Sequence, residues 1–299
     1  MPQQSGALFS VVLFGGCMVF RGKGGIEAEV LAKSYHEQTG TMAATVRLRY
    51  PRIIHSELMT HRVFSRNASS SRAKKVKDEV DYIDENPAMP VEWGTEKRGM
   101  VPDESLKDED ESEAKAFWID ASYKACNSAE ILEQKFGLHK QICNRLLEPF
   151  QFIDTIVTST EWWNFFGLRL SYDADATIHE LAKTIHKALQ NTAGKVLQVG
   201  DWHIPELGDN WDRMSNAGAC ARISYRNLGD KTRRDNEQLA MRLLENGHMS
   251  PFEHQLTPIP TYHSFFWKWS DMVTHKDQEN NLWCRNSRWF CQFRHLVEG

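Results

Sequence analysis

The feature that most constrains the fold is the spacing of apolar residues in the segment 178–189. These residues are Ile178, Leu181, Ala182, Ile185, Ala188 and Leu189. Intervals of three and four residues place their side chains on one face of an α-helix. Hydrophobic residues make up 41% and charged residues 25% of the chain, which excludes a collagen-like or wholly disordered protein. The segment therefore predicts a helix that packs on a sheet or on another helix.

Other segments have the patterns of strands. Residues 45–50 alternate polar and apolar side chains and are closed by Pro51, and residues 152–157 follow Pro149. The apolar run 8–20 is shorter than the roughly 20 residues of a transmembrane helix, and it lacks the basic start of a signal peptide. We interpret it as a buried strand or as a start site placed too early.

Helices are predicted at three further places. Apolar positions after Ile53 have helical spacing, and residues 113–136 read as a helix. Asp235 with Gln238 forms a capping-box pattern ahead of a third helix, which Gly247 is placed to stop. Helices and strands mixed along one chain predict an α/β or α+β fold.

The length of 299 residues allows one large or two modest domains at roughly 150 residues each. We find no internal repeat and predict a single domain, 1–299. Within it, residues 1–25 form an apolar N-terminal segment. Residues 74–113 carry lysines followed by an acidic run, which predicts a polar, acidic insertion exposed to solvent.

Charge and cysteine usage narrow the range of partners. The 36 Lys and Arg against 40 Asp and Glu give a net charge of −4, so no general attraction to nucleic acid or to an anionic membrane is expected. An anionic ligand would need a local pocket. The six cysteines are scattered without a C-x-x-C pair, which favours a reduced, cytoplasmic protein without a metal site.

The segment 60–72 concentrates side chains that suit a phosphate and a heterocycle. They are His61, Arg62, Ser65, Asn67, Ser70 and Arg72. Arginine binds phosphate oxygens with two parallel hydrogen bonds, and a Ser-rich loop adds hydroxyl and N–H donors. The alternative is a helix end capped by Ser and Asn, with arginines that extend into water. The Ser- and Asn-rich end of the segment predicts a loop.

Three further segments hold candidate residues. His248–His254 leaves a helix stop with two imidazoles and a carboxylate, a weak signal for zinc. Asn164–Arg169 is an apolar stretch that ends in one cation, and Asn144–Pro149 also contains one arginine. Taken alone, each arginine is more often a surface residue or part of a structural ion pair.

These segments together resemble the flavin-dependent thymidylate synthases, also called the ThyX or thymidylate synthase complementing protein family. Residues 60–72 are similar to the family signature Arg-His-Arg-x-x-Ser-x-Asn-Glu-x-Ser-x-Arg and match six of its eight fixed positions. Asn164–Arg169 resembles Asn-Phe-x-x-Leu-Arg, and Arg145–Pro149 resembles Arg-x-x-x-Pro. Cys220–Tyr225 and His248–His254 resemble the elements Ala-Arg-Val-Ser and His-x-Ser-Pro-Phe-Glu-His.

The order of these elements differs from the ordinary family. There, Ala-Arg-Val-Ser and Ser-Pro-Phe-Glu-His precede the signature, whereas here they follow it, so the chain looks circularly permuted or rearranged. Thr60 replaces the first Arg of the signature, Ala68 replaces its Glu, and Glu57 replaces a Gln one turn earlier. Gln292–His295 also echoes the Gln-x-x-Arg-His element of the family.

The resemblance implies an α/β sheet with flanking helices, a homotetramer, and the reductive methylation of dUMP to dTMP. Methylenetetrahydrofolate would give the carbon, and FAD reduced by NADPH would give the hydride. It assigns dUMP binding to Glu57, Ser69, Ser70, Arg72, Arg145 and Arg169, with Ser70, Arg169 and His248 as the catalytic set. It assigns FAD binding to His61, Arg62, Asn67, Asn164, Ser224, Ser250 and Glu253.

Two alternatives remain open. Ala68 in place of Glu is compatible with a flavin enzyme that modifies C5 of dUMP or dCMP differently, for instance by hydroxymethylation. A non-catalytic nucleotide- or RNA-binding descendant would use the lysines at 74–77 as its contact surface, although the net charge argues against RNA. The resemblance also implies that Glu253 and His61 of this chain lie at one ligand site despite their separation in sequence.

Overall fold

The structure is a computed structural model of the chain. It describes residues 11–14, 17–99, 102, 104–225, 231–261 and 270–298. The predicted apolar segment 1–25 therefore lies partly outside the described residues.

A mixed sheet forms the centre of the fold. Its strands are β1 (Val11–Phe14), β2 (Cys17–Arg21), β3 (Glu27–His36), β4 (Met42–Pro51), β5 (Ser65–Ala68), β6 (Phe152–Ser159) and β7 (Lys195–Leu197). The order is β1-β2-β3-β4-β6-β5 with antiparallel neighbours, and β7 pairs in parallel with β3. The strands predicted at 45–50 and 152–157 are confirmed as parts of β4 and β6.

Helices surround this sheet. They are α1 (His55–Met59), α2 (Val76–Glu85), α3 (Asp108–Phe136), α4 (Lys140–Cys143), α5 (Trp162–Arg169), α6 (Ala176–Gln190), α7 (Arg213–Ala221), α8 (Arg233–Glu245) and α9 (Phe293–Glu298). Among the described residues of the second half, there are two small sheets. One pairs β8 (Leu256–Pro258) with β12 (Phe290–Gln292), and the other contains β9 (His275–Lys276), β10 (Leu282–Cys284) and β11 (Ser287–Arg288). The predicted α+β class is confirmed.

One face of the central sheet is apolar and is covered by α6. The side chain of Asp175 caps the start of this helix through the backbone N–H groups of Thr177 and Ile178. The six predicted apolar positions of α6 are buried, and they share one core cluster with Val46 and Leu48 of β4. The predicted packing of this helix is confirmed.

The opposite face is covered by the second half of the chain. Cys220 and Ile223 pack on Leu31 and Ile156, while Leu256 and Phe290 pack on Ala43. Residues beyond β7 therefore meet β3, β4 and β6 from the side that α6 does not cover. This arrangement brings the later motif elements to the sheet that carries the earlier ones.

The end of the segment 60–72 is not all loop. Residues 65–68 form the edge strand β5, in which Ser65 and Asn67 lie opposite Thr158 and Ile156 of β6. The loop prediction is wrong for these four positions because pairing with β6 outweighs the local preference of Ser and Asn for turns.

The segment 74–113 is only partly solvated. Val76, Val80 and Ile83 of α2 are buried in a second core cluster with Cys126 and Ala129 of α3. The prediction of a solvated stretch is therefore wrong for residues 76–85, whose apolar positions at helical spacing are hidden among Lys and Asp. The acidic run begins α3, where negative charges interact favourably with the helix dipole.

The capping box of α8 starts earlier than predicted. Thr232 is the N-cap, and Asp235 is the third helical residue. The Thr232 hydroxyl accepts from the N–H of Asp235, and the Thr232 N–H donates to the Asp235 carboxylate. The predicted pairing of Asp235 with Gln238 is therefore wrong. Gly247 has a positive φ of 71° just after the C-cap Asn246, so the predicted helix stop is confirmed.

Candidate active site

Strand β5 organises the candidate residues of the signature segment. Ser65 and Asn67 are buried and face the second half of the chain, where Ser65 accepts hydrogen bonds from Asn286 and Gln292. His61 precedes the strand, and Ser70 and Arg72 follow it. The strand thus divides the signature into two ends and a buried middle.

A cavity of about 230 Å³ lies beside the buried middle of the signature. Four of the predicted site residues line it, together with an apolar wall. The predicted residues are Asn67, Ser224, His248 and Ser250, and the wall is formed by Ala221, Leu239, Leu243 and Pro251. Side chains from three separate motif elements therefore converge on one cavity.

Local sequence explains how Ser250 and His248 reach this cavity. Gly247 ends α8, and Pro251 is the second residue of the 3₁₀ turn Ser250–Glu253. Phe252 is fully buried and packs on Phe293, which anchors the turn. The anchored turn leaves His248 and Ser250 exposed at the cavity.

Helices α7 and α8 are held close together behind the cavity. A Cβ atom on Gly218 of α7 would overlap the carbonyl group of Asn236 in α8, so only glycine allows this approach. Arg222 donates to the side chain of Asn236 and to the carbonyl of Asp235. The positions of Ala221, Ser224 and Leu239 at the cavity follow from this contact.

Ser70 and Arg72 adjoin the cavity at Ser224. The N–H of Ser70 donates to the carbonyl of Ser224 at 3.3 Å, and the N–H of Arg72 donates to Ser70 Oγ at 3.3 Å. The guanidinium of Arg72 is exposed and forms no hydrogen bond or ion pair with the described residues. Ser69 is buried, and its hydroxyl accepts from the N–H of Asp154 at 3.0 Å. This end of the signature can bind an anion.

Arg145 lies near Ser71 through a shared carboxylate. Glu148 Oε1 accepts from Ser71 Oγ at 2.7 Å, from Arg52 at 3.1 Å and from Arg145 at 3.4 Å. The Arg145 side chain is 60% exposed, so Glu148 neutralises it only in part.

The other end of the signature forms a separate cluster around His61. Arg169 Nε donates to His61 Nε2 at 3.0 Å, and its Nη2 donates to Thr60 Oγ1 at 3.1 Å. Glu57 lies 3.7 Å from Arg169 as an ion pair. Burial, together with the nearby charges of Arg169 and Arg66, lowers the pKa of His61 to about 4. His61 is therefore neutral at pH 7 and accepts from Arg169.

Besides His61, three predicted cofactor residues do not line the cavity. Arg62 and Asn164 are exposed, Asn164 on the outer side of α5. The Glu253 carboxylate forms an ion pair with Arg294 at 2.5 Å.

Neither His61 nor Glu253 lines the cavity, but both interact with Arg66. Arg66 Nη1 donates to the carbonyl of His61 at 3.3 Å, and to those of Leu58 and Met59. Burial lowers the pKa of Arg66, and the negative charge of Glu253 partly offsets this. The expectation that His61 and Glu253 share a ligand site stays a prediction.

Sequence reasoning missed three residues of this region: Arg66, His254 as a buried side chain, and Arg294. Arg66 stands at a position that the family signature leaves variable, so nothing marked it. Arg294 belongs to the echo Gln292–His295, and that echo was the available signal for its proximity to Glu253.

Other classes of site receive no support from the described part of the chain. Within the described ranges, no group of three His, Cys, Asp or Glu side chains is arranged to hold a metal ion. Among those same residues, no helix has the length and apolar character needed to cross a membrane.

Comparison with known proteins agrees with the motif pattern. A sequence model of Thy1, the thymidylate synthase complementing protein family, matches residues 27–193, more than half of the chain. A search of curated proteins finds no match. Among solved structures, the chain is similar to thymidylate synthase X from Helicobacter pylori, crystallised with FAD and dUMP. The identity is 16% over 49% of this chain and 67% of that one, with a TM-score of 0.34. By the match of residues 27–193, the chain belongs to the thymidylate synthase complementing protein family.

Proposed function

We propose that this protein is a flavin-dependent thymidylate synthase that converts dUMP to dTMP with methylenetetrahydrofolate and NADPH-reduced FAD. The observation that carries the proposal is the convergence of Asn67, Ser224, His248 and Ser250 on one cavity. Three of these residues lie beyond the segment that matches the family, yet the fold brings them to the signature strand. A rearranged chain that keeps this convergence keeps the means to bind the same ligands.

The chemistry of the cavity fits a planar ring with a polar edge. Leu239, Leu243 and Pro251 supply an apolar wall, while Asn67 and Ser224 supply hydrogen-bonding groups. A volume of about 230 Å³ suits one ring system rather than a whole dinucleotide. Asn67, Ser224 and Ser250 would hold FAD here with His248 at the same cavity, and FAD when bound supplies the hydride.

The anionic substrate would bind at the other side of Ser224. The phosphate of dUMP carries close to two negative charges near neutral pH, and a chain of net charge −4 must supply cations locally. Arg72 is exposed beside Ser70. The N–H of Ser70 donates to the carbonyl of Ser224, and the hydroxyl of Ser70 accepts from the N–H of Arg72. We assign the phosphate to Ser70, Arg72 and Arg145, with Ser69 holding the loop against Asp154.

The cluster of Arg169, His61 and Glu57 lies at the opposite end of the signature. Burial and the charge of Arg169 keep His61 neutral, and the hydrogen bond from Arg169 orients its ring. This pair would meet a pyrimidine or flavin from the exposed side of α1 and α5. Arg62 and Asn164 are exposed outside the cavity. We propose a cytoplasmic homotetramer in which these residues complete the site of a neighbouring subunit.

One observation favours a second candidate function. Ala68 supplies no carboxylate, and its carbonyl is instead 3.5 Å from the hydroxyl of Ser224. The hydrogen-bonding pattern offered to the pyrimidine therefore differs from that of a signature with Glu. This difference supports, as the alternative, a flavin enzyme that hydroxymethylates C5 of dUMP or dCMP.

Two experiments test the proposal. Titration of the purified chain with FAD should give stoichiometric binding and an oxidised-flavin spectrum that NADPH bleaches. Mass analysis after incubation of the flavin-loaded protein with methylenetetrahydrofolate, NADPH and either dUMP or dCMP should show dTMP, formed from dUMP only. A hydroxymethyl product would select the alternative. A chain that never takes up FAD would contradict both and leave the non-catalytic nucleotide-binding protein.

A further inference from the structure

A buried chain of hydrogen bonds crosses the face of the central sheet that the second half of the protein covers. It joins Ser34, His203, Thr45, Thr158, His254 and Asn67 in that order, and none of these residues is more than 9% exposed. His203 joins Ser34 to Thr45, with Nδ1 2.9 Å from Ser34 Oγ and Nε2 2.8 Å from Thr45 Oγ1. The hydroxyls of Thr45 and Thr158 are 2.7 Å apart. His254 joins Thr158 to Asn67, with Nδ1 2.8 Å from Thr158 Oγ1 and Nε2 3.1 Å from the amide of Asn67. This series of hydrogen bonds ends at the candidate cavity, which Asn67 lines.

Sheet register explains why these side chains meet. Thr45 of β4 and Thr158 of β6 are direct cross-strand partners, so their hydroxyls lie side by side. The two histidines come from the second half of the chain. His203 is fixed there by reciprocal backbone hydrogen bonds with Leu256 at 2.7 and 3.0 Å. The hydrogen bonds thus connect the two halves of the protein.

The surroundings of Asn67 determine how its amide is turned. The amide atom that lies 3.1 Å from His254 Nε2 also lies 3.1 Å from the carbonyl oxygens of Ser250 and Arg66. Carbonyl oxygens only accept hydrogen bonds, so this atom is the nitrogen. With the nitrogen on this side, the other polar atom of Asn67 is its carbonyl oxygen, an acceptor, and Asn67 lines the cavity.

The orientation of Asn67 sets the protonation of both histidines. A hydrogen on His254 Nε2 would oppose the amide hydrogens of Asn67, so His254 carries its hydrogen on Nδ1 and donates to Thr158. Each buried hydroxyl then finds an acceptor only if Thr158 donates to Thr45 and Thr45 donates to His203 Nε2. His203 in turn donates from Nδ1 to Ser34. Burial lowers the pKa of each histidine to about 3, so both are neutral at pH 7.

We propose that His254, backed by Thr158, is a positioning residue that keeps the carbonyl oxygen of Asn67 available to the ligand in the cavity. The role for the ligand rests on the proposed function, whereas the arrangement of hydrogen bonds does not. The ligand group that meets Asn67 is an N–H or O–H donor. His254 itself is fully buried and acts only through Asn67.

The first test reads the histidines directly. Nitrogen-15 spectra of histidine-labelled full-length protein at pH 7 should show three buried neutral rings with hydrogen on Nδ1, those of His61, His203 and His254. His254→Gln and His203→Gln should each remove one of them. In Thr158→Val, His254 loses its acceptor and the Nδ1 form should be lost from that ring. Hydrogen on Nε2 of His254 in the unaltered protein would overturn the proposal.

The second test reads the ligand. Thr158→Val should raise the dissociation constant of FAD about tenfold, and Thr158→Ser, which keeps the hydroxyl, should restore most of the affinity. Thr184→Val is the matched control, because this buried hydroxyl bonds only within α6, to the carbonyl of Glu180; it should leave FAD affinity unchanged. All measurements are made at a temperature at which circular dichroism shows each variant folded.

The outcomes separate the two proposals. If the unaltered protein binds FAD and Thr158→Val binds it equally well, the positioning role is wrong. If the unaltered protein takes up neither FAD nor dUMP, the proposed function and the ligand role of Asn67 fall together, while the ring spectra still decide the arrangement of hydrogen bonds.

Discussion

The two faces of the central sheet are built in different ways. Towards α6, the contacts are made by aliphatic and aromatic side chains such as Val46, Leu48 and Leu181. Towards the second half, the sheet presents the hydroxyls of Thr45 and Thr158, which form hydrogen bonds with imidazoles of that half. Apolar contact is non-directional and tolerates sliding, whereas hydrogen bonds fix orientation. The first face therefore contributes stability, and the second positions the candidate site.

The largest expected effect tests the apolar face. Leu181→Ala removes a fully buried side chain and should lower the free energy of unfolding by about 3 kcal/mol. The dissociation constant of FAD should stay unchanged, because α6 does not line the cavity. Urea unfolding and FAD titration measure the two quantities. A loss of FAD affinity in the folded variant would break the division between the faces.

The second largest effect is the loss of folding stability in acid, which we expect from His203 and His254 at the polar face. The pKa of His203 and of His254 is lowered by burial to about 3 in the folded protein, against about 6.5 when unfolded. The unfolded chain therefore takes up protons first, and stability falls as the pH drops from about 6.5 towards 3. We expect a loss of about 2 kcal/mol between pH 6.5 and 5.5 from the two groups together.

Urea unfolding at several pH values checks this dependence. His254→Gln removes one titrating group, so its stability should vary less steeply with pH than that of the unaltered protein. Equal slopes for the two proteins would mean that His254 is not held neutral by burial.

Part of this architecture follows from sequence, and the reasons differ by element. The helix at 178–189 and the strands β4 and β6 have strong periodicity, so pattern alone predicts them. Strand β5 has none, because its four residues Ser-Arg-Asn-Ala form a strand only through pairing with β6. Helix α2 was hidden because three apolar positions stand among charged ones.

The candidate site was predictable as residues but not as geometry. The motif resemblance named Asn67, Ser224, His248 and Ser250, which line the cavity. It gave no sign that Arg169 would be held by His61 or that Glu253 would pair with Arg294. It also could not reveal the link from Thr45 to His254, since that link depends on strand register.

The exposed charge of Arg72 should affect the affinity for dUMP and not the stability of the fold. Arg72→Ala removes an exposed guanidinium and should weaken dUMP binding about 30-fold, or roughly 2 kcal/mol. The free energy of unfolding should not change. Arg21→Ala is the matched control, because Arg21 forms a surface ion pair with Glu27 in β2 and β3. Calorimetric titration measures dUMP affinity, and equal affinities in the two variants would contradict the assignment.

The smallest expected effect is the change in stability when a buried hydroxyl without a hydrogen bond is removed. Thr257 in β8 is buried, but its hydroxyl has no hydrogen-bond partner among the described residues. Thr257→Val should therefore change the unfolding free energy by less than about 0.5 kcal/mol or stabilise the fold slightly. Thermal unfolding beside Thr158→Val measures the contrast. A large loss in Thr257→Val would show that burial of a hydroxyl matters here without its hydrogen bond.

The most direct measurement of the central claim is the FAD affinity of a variant whose cavity is filled. Leu239→Trp places a larger apolar side chain at the cavity wall and removes no polar group, while Met241→Trp adds the same side chain at an exposed position on α8. With both variants shown to be folded, Met241→Trp should bind FAD as the unaltered protein does, and Leu239→Trp should have lost binding. Unchanged FAD affinity in Leu239→Trp would contradict the placement of the flavin between β5 and α8.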